Sequence, residues 1–265
     1  MHPMINIAVR AARSAGRILL RYYEHTESLR VDEKSRNDFV SEVDRQAERA
    51  IIKELRSKYP DHAFLGEEGG HQGHGDYQWV IDPLDGTTNY LHGLPQFSIS
   101  IALKYRGKLE HGLVYDPLRE EMFTASRGGG ARLNDRKLRV SQRPGLDGAL
   151  LGTGFPFRDQ RFLKEYLGMF EVLIKDTAGV RRPGSAALDF AYVAAGRTDG
   201  FWELGLAEWD LAAGALLVRE AGGVVSDLAG GDRFLRTGNV VAAGIKVHGA
   251  LLKAVRPFLC ERLPA

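Results

Sequence analysis

Two acids three residues apart form the densest chemical signal in the chain, within Asp82-Pro83-Leu84-Asp85-Gly86-Thr87-Thr88-Asn89. The apolar run Trp79-Val80-Ile81 reads as a strand that Asp82 ends, because Pro83 opposes its simple continuation. Gly86 then frees the backbone where the next residues can open a helix, whose free N–H groups suit a phosphate. Carboxylates beside such an anion cradle suit magnesium, which takes a few carboxylates, waters and substrate phosphate oxygens. Asp-Pro and Asp-Gly are equally common turn dipeptides, so a metal site and a plain turn both stand at this level.

Further acids occupy comparable places, each with a structural alternative. Glu67 lies in Gly66-Glu67-Glu68-Gly69-Gly70, after the apolar Ala63-Phe64-Leu65, either at a strand end facing the same site or in a solvated acidic loop. Asp210 follows Trp209 ahead of a helical pattern, where an Asp is an ordinary N-cap. Asp44 completes a Ser41-x-x-Asp44 capping box. Arg181 and Arg182 precede a helix start at Ser185, placed to bind an anion or to cap the helix. His71 and His74 fall in a Gly-rich HQGHG loop and read as solvated. The chain has no G-x-x-x-x-G-K-[ST] phosphate loop, no H-E-x-x-H and no G-x-S-x-G.

The elements that must position these residues can be read from periodicity. Ile5, Ala8, Val9, Ala12, Gly16, Leu19, Leu20 and Tyr23 share a helical face, with Arg10, Arg13 and Arg17 mostly opposite. A second helix starts near Ser41, turns Val43, Ala47, Ala50, Ile51 and Leu55 inward, and ends before Tyr59-Pro60. The polar RVDEKSRND stretch between them reads as a loop or hairpin. Phe97 to Thr124 alternates as an antiparallel meander. A boundary near Ser141–Asp147, marked by Pro144-Gly145, divides an N-terminal half, 1–145, from a C-terminal half, 146–265. That second half mixes the strands LLGTGF, GFWEL and VVSD with helices over 159–174, 185–195 and 210–221. The fold class is therefore α plus β in two coupled halves.

The chain has 265 residues, 44% hydrophobic and 26% charged, the profile of a globular protein. A net charge of +2 gives no electrostatic ground for sequence-specific nucleic acid or an anionic membrane as the main partner. The single cysteine, Cys260, excludes an internal disulfide and reads as an idle thiol in a reducing compartment. The arginines interrupting MHPMINIAVRAARSAG argue against a secretion signal, and no run approaches the ~18 apolar residues of a membrane span. Together these predict a cytoplasmic protein.

Four ordered motifs, GEE at 66–68, WVIDPLDGTTNY at 79–90, GSAALD at 184–189 and WDLAAGALLVREAGG at 209–223, resemble those of the inositol monophosphatases. The likeness runs along nearly the whole chain and is strongest to the bacterial SuhB-type branch. It implies a layered α/β/α/β/α sandwich with its site where the two halves meet. By the same resemblance two or three Mg²⁺ ions are held by Glu67, Asp82, the Leu84 carbonyl, Asp85 and Asp210, while Gly86 and Thr87 present N–H groups to phosphate. Asp44 would orient the Thr87 hydroxyl to relay a proton from the attacking water, with Glu67 in the same catalytic group and no covalent phospho-enzyme. Substrate contacts map onto Asp85, Arg181, Gly184, Ser185, Ala186, Glu203 and Asp210, with Glu203 accepting from ring hydroxyls. The capping readings of Asp44 and Asp210 then lose most of their weight.

The implied activity is hydrolysis of inositol 1-phosphate and related polyol phosphates by a homodimer. Alternatives within the same lithium-sensitive superfamily are phosphatases of 3′-phosphoadenosine nucleotides, fructose 1,6-bisphosphate or histidinol phosphate. The Thr-Thr-Asn-Tyr that follows Asp85-Gly86 favours the inositol branch. The SuhB-type resemblance also implies a second class of role, antitermination of ribosomal RNA transcription through contact with Nus factors and RNA polymerase.

Overall fold

The computed structural model describes residues 2–23, 31–35, 38–156, 160–260 and 263. Helix α1 (Pro3–Tyr23) buries Ile5, Ala8, Ala12, Ala15 and Leu19 and turns Arg10, Arg13 and Arg17 outward; Leu20 also projects outward. The polar stretch that follows forms a hairpin, β1 (Val31–Ser35) with β2 (Asp38–Ser41). Ser41 closes that hairpin and α2 (Glu42–Arg56) begins one residue later, with Val43, Ala47, Ile51 and Leu55 buried as the periodicity requires.

The next stretch builds one sheet from β3 (Ala63–Gly66), β4 (Gly70–Gln72), β5 (Tyr77–Asp85), β6 (Ser98–Tyr105), β7 (Lys108–Asp116), β8 (Glu121–Ser126), β9 (Gly130–Leu133) and β10 (Arg136–Lys137), with the short helix α3 (Thr87–Leu91) after β5. The strand order is β10-β9-β8-β7-β6-β5-β3-β4, and every pair is antiparallel except β3 with β5. A second sheet follows from β11 (Leu150–Thr153), α4 (Leu163–Lys175), β12 (Gly179–Arg181), α5 (Ala186–Ala194), β13 (Gly200–Glu203), α6 (Glu208–Glu220), β14 (Val224–Ser226), α7 (Phe234–Thr237), β15 (Val240–Ala243) and α8 (Ile245–Val255). Its order is β12-β11-β13-β15-β14, parallel through the first three strands and antiparallel beyond them.

Each sheet is buried on both faces, and this creates three apolar cores. Alternate residues of β5 show how: Trp79 and Ile81 pack under α1 and α2, whereas Val80 faces α5 and α6. The central core joins α5 and α6 to both sheets, and a third core places α4 and α8 on the far face of the second sheet. The result is five layers, α/β/α/β/α, as the motif resemblance implies.

The structure corrects three local expectations. Strand β5 does not end at Asp82 but runs on to Asp85. Its pairing with β6 steps from Asp82↔Ser100 to Asp85↔Ser98, a bulge in which the missing N–H of Pro83 leaves no ladder bond unmade. Helix α6 starts at Glu208, so Asp210 is its third residue rather than its N-cap. Helix α4 starts at Leu163 after a 3₁₀ turn over Gln160–Phe162; its expected start, Asp159, lies outside the described residues. Strand β15 and helix α8 carry no counterpart in the sequence reading. Among the described residues no helix is long and apolar enough to cross a membrane.

Candidate metal centre and active site

The carboxylates converge because three elements end at one point. The β5 bulge presents Asp82 and Asp85, while α6 brings Asp210 to them in its first turn. One carboxylate oxygen from each of these three lies within 4.8 Å of the others. Glu67 joins them from the turn after β3, where its N–H donates to the Ile81 carbonyl at 3.1 Å. All four acids and Leu84 line a cavity of about 640 Å³.

Each of the three aspartates is held in place by donors. Asp82 Oδ1 accepts the Leu84 N–H at 2.9 Å, which shapes the bulge. Asp85 accepts the Ser185 hydroxyl at 2.5 Å and the Ala186 and Ala187 N–H groups at 3.2 and 2.8 Å, so it caps α5 from 100 residues away. Ser185 occupies the N-cap position of α5 but makes no capping bond itself. Asp210 Oδ2 accepts the Ala207 N–H at 2.7 Å, so the capping role and a place in the cluster belong to the same side chain.

Electrostatics show what the cluster lacks on its own. Burial strips Asp82 of water, and Glu67, Asp85 and Asp210 add like charge, so its carboxyl sits well above the usual range. Burial first and then Asp210 push Asp85 up to about 7, against donors from Ser185, Ala187 and Ala186 that favour the ionised form. Hard oxygen donors packed so closely fit a divalent cation, which would restore ionisation in all of them.

A second group of residues faces the same point. Gly86 adopts φ 93°, and a Cβ there would sit 2.8 Å from the Gln96 carbonyl and 3.2 Å from that of Gly184, so only glycine passes. The turn places Thr87 with its hydroxyl 3.0 Å from the Leu84 carbonyl and 3.4 Å from Asp44 Oδ1. Asp44 is buried on α2, outside the cavity wall, and reaches the site through Thr87. Gly184, Ser185, Ala186 and Glu203 all line the cavity, although the donors of Ser185 and Ala186 are already engaged by Asp85.

Arg181 is not among the lining residues; its neighbour Arg182 is, with its guanidinium over the Phe155 ring at 5.4 Å. Arg181 ends β12, pairs opposite Gly152 and donates to the adjacent Val180 carbonyl, so its side chain takes the other direction. His71 and His74 are exposed, as expected, with His71 in β4. Two further residues of the 79–90 motif turn out to brace the site. The Asn89 amide donates to the carbonyls of Gln96 and Pro183 at 2.7 and 2.8 Å, and the Tyr90 hydroxyl reaches the Leu19 carbonyl at 2.7 Å. Their polarity at buried positions was the available signal.

The model of the inositol monophosphatase family matches residues 1–258. The Nus factor SuhB of Pseudomonas aeruginosa is 59% identical over 265 residues, covering 98% of each chain. The crystal structure of the extragenic suppressor protein suhB from Bartonella henselae is similar with a TM-score of 0.94 at 45% identity, covering 96% of this chain and 99% of that one. The inositol monophosphatase from Anabaena (Nostoc) sp. PCC 7120 gives a TM-score of 0.84 at 38% identity, covering 95% and 94%.

Proposed function

Since the chain belongs to the inositol monophosphatase family and is a phosphatase of that superfamily, we propose that it hydrolyses inositol 1-phosphate and related polyol phosphates in a magnesium-dependent reaction. The observation that carries this reading is the convergence of Asp82, Asp85 and Asp210 within 4.8 Å at a cavity that also holds Glu67 and Thr87. Glu67, Asp82, Asp85, Asp210 and the Leu84 carbonyl would hold two or three Mg²⁺ ions. Bound there, the ions supply charge neutralisation for a phosphate monoester and acidify water.

The chain's own residues account for the remaining chemistry. The Gly86–Thr87 turn offers backbone N–H groups to the phosphate oxygens at the start of α3. The Thr87 hydroxyl can accept a proton from the attacking water while passing its own to Asp44, because Oγ1 already points at Oδ1 across 3.4 Å. Glu203, at the end of β13, accepts from ring hydroxyls of a polyol, and Arg182 rather than Arg181 supplies the cationic side of the wall.

Phosphate release from inositol 1-phosphate, fructose 1,6-bisphosphate, 3′-phosphoadenosine 5′-phosphate and histidinol phosphate, with and without Mg²⁺ and then Li⁺, tests the substrate. Magnesium-dependent, lithium-sensitive turnover led by inositol 1-phosphate supports the proposal. Preference for the adenine nucleotide assigns the site to another branch.

A second role is favoured by the 59% identity to a protein named as a Nus factor. We propose a contact with the transcription machinery, made by a cytoplasmic homodimer. Light scattering checks the dimer; co-elution of the purified protein with purified Nus factors and RNA polymerase checks the contact, and separate elution from all of them refutes it.

A further inference from the structure

We infer that Glu48 is a positioning residue that fixes the metal ligand Glu67, and that Gly66 is a glycine because the Glu48 carboxyl group occupies the space a side chain would need. The inference rests on the metal reading of the site given above.

Glu48 lies one helical turn after Asp44 on α2, and both are buried, at 4% and 1% exposure. A glutamate in an amphipathic helix ordinarily faces water, so its burial calls for a partner that repays desolvation. Its Oε2 accepts the Glu68 N–H at 2.9 Å. A Cβ on Gly66 would fall 2.3 Å from that same oxygen and 2.6 Å from the carboxyl carbon, and one on Gly69 would fall 2.7 Å from Oε1. Neither Gly66 nor Gly69 has a positive φ, so their backbones would admit other residues. The three atoms nearest to a side chain at Gly66 all belong to the Glu48 carboxyl group.

The carboxyl group is therefore wedged against both ends of the turn that carries Glu67, and it bonds the residue immediately after Glu67. The Ile81 carbonyl holds Glu67 from the other side through its N–H. One turn of α2 thus serves the site twice, with Asp44 steering Thr87 and Glu48 steering Glu67. Outer residues that orient a metal ligand commonly change metal affinity or activity by about 10- to 100-fold when removed.

The test is Mg²⁺ binding to metal-stripped protein by titration calorimetry without substrate, together with unfolding temperature in EDTA. The variants are Glu48→Ala, Glu48→Asp, Glu48→Gln, Gly66→Ala and the Glu48→Ala/Gly66→Ala pair. Glu48→Ala and Gly66→Ala are each expected to weaken Mg²⁺ binding by about 10- to 100-fold. Glu48→Gln keeps an acceptor for the Glu68 N–H and should stay much closer to wild type. The double variant should bind no worse than Glu48→Ala, because truncation opens room for the new methyl group.

A purely structural role would lower the unfolding temperature in EDTA without moving the Mg²⁺ dissociation constant. Wild-type affinity in folded Glu48→Ala, or independent, additive losses in the double variant, would overturn the inference. If Glu48→Ala does not fold, Glu48→Asp decides: it keeps the charge but withdraws the oxygens, and wild-type Mg²⁺ affinity in it would overturn the inference equally. A wild-type protein that binds no Mg²⁺ overturns the metal reading itself, which separates the two failures.

Discussion

Asp85→Asn exposes the electrostatic cost of the cluster when no cation is present. Burial and Asp210 raise the Asp85 carboxyl from its ordinary 3.8 to about 7 in the metal-free protein. A carboxyl raised in this way stabilises the fold fully below its unfolded value, and the contribution is lost as pH rises through about 7. At ~1.4 kcal/mol per pH unit, the interval corresponds to on the order of 4 kcal/mol. The variant cannot titrate there, and it also removes the Asp85 charge that helps to raise Asp82 and Asp189, so in EDTA it gains on wild type by an amount of that order between pH 4 and pH 8. It also carries an offset constant with pH, because an amide cannot accept from Ser185, Ala186 and Ala187 as a carboxylate does. His62, His111 and His248, all lowered by burial, titrate in both proteins and cancel in the difference.

Thermal unfolding by circular dichroism at several pH values measures this gap, at roughly 2–4 °C per kcal/mol for a chain of this size. Mg²⁺ at 1,000 times its Kd adds about 4.1 kcal/mol to the protein that binds it, so at pH 8 it should cancel the variant's pH-dependent gain. A gap between variant and wild type that does not change with pH in EDTA would show that the Asp85 carboxyl is not raised in the metal-free protein.

Thr87→Ala should lower kcat by about 10²- to 10⁴-fold, the usual range for a lost proton-transfer group, while Mg²⁺ affinity measured by calorimetry stays near wild type. Asp44→Asn should lower kcat by the same route and alter the pH–rate profile. Steady-state kinetics should show Arg182→Ala raising KM by about tenfold, the scale of one hydrogen bond to a charged group, with Arg181→Ala close to wild type. Gly214→Ala would place a Cβ 2.4 Å from that of Phe190 at the contact between α6 and α5. It should destabilise the fold by about 1–3 kcal/mol in chemical denaturation, with activity retained at low temperature.

What could be read in advance was local. Asp82, Asp85 and Gly86 fitted a metal site and a plain turn equally, because a strand, a turn and a helix start follow one another within a few residues, and the four ordered motifs tipped the balance. Pro83 misled about the strand end, since nothing local says that β6 would pair past it through a bulge. The distinction between Arg181 and Arg182 was equally out of reach: a one-residue choice in an edge strand reverses the direction of the side chain. Asp85 capping α5 and Asp210 meeting Asp82 are contacts across 100 residues or more, fixed by packing of the five layers rather than by spacing. Glu48 was invisible for a related reason, because an acid four residues after Asp44 looks like part of the solvated face of an amphipathic helix.

Asp82, Asp85 and Asp210 are proposed above as a magnesium-dependent phosphatase centre. Its most direct test is phosphate release from inositol 1-phosphate over graded Mg²⁺, beginning in EDTA, for wild type and Asp82→Asn side by side. Such a centre gives no release in EDTA, saturable activation by Mg²⁺ in wild type, and a loss of more than about 100-fold in the variant at equal Mg²⁺. Turnover in EDTA equal to that in Mg²⁺, or a variant as active as wild type, would contradict it.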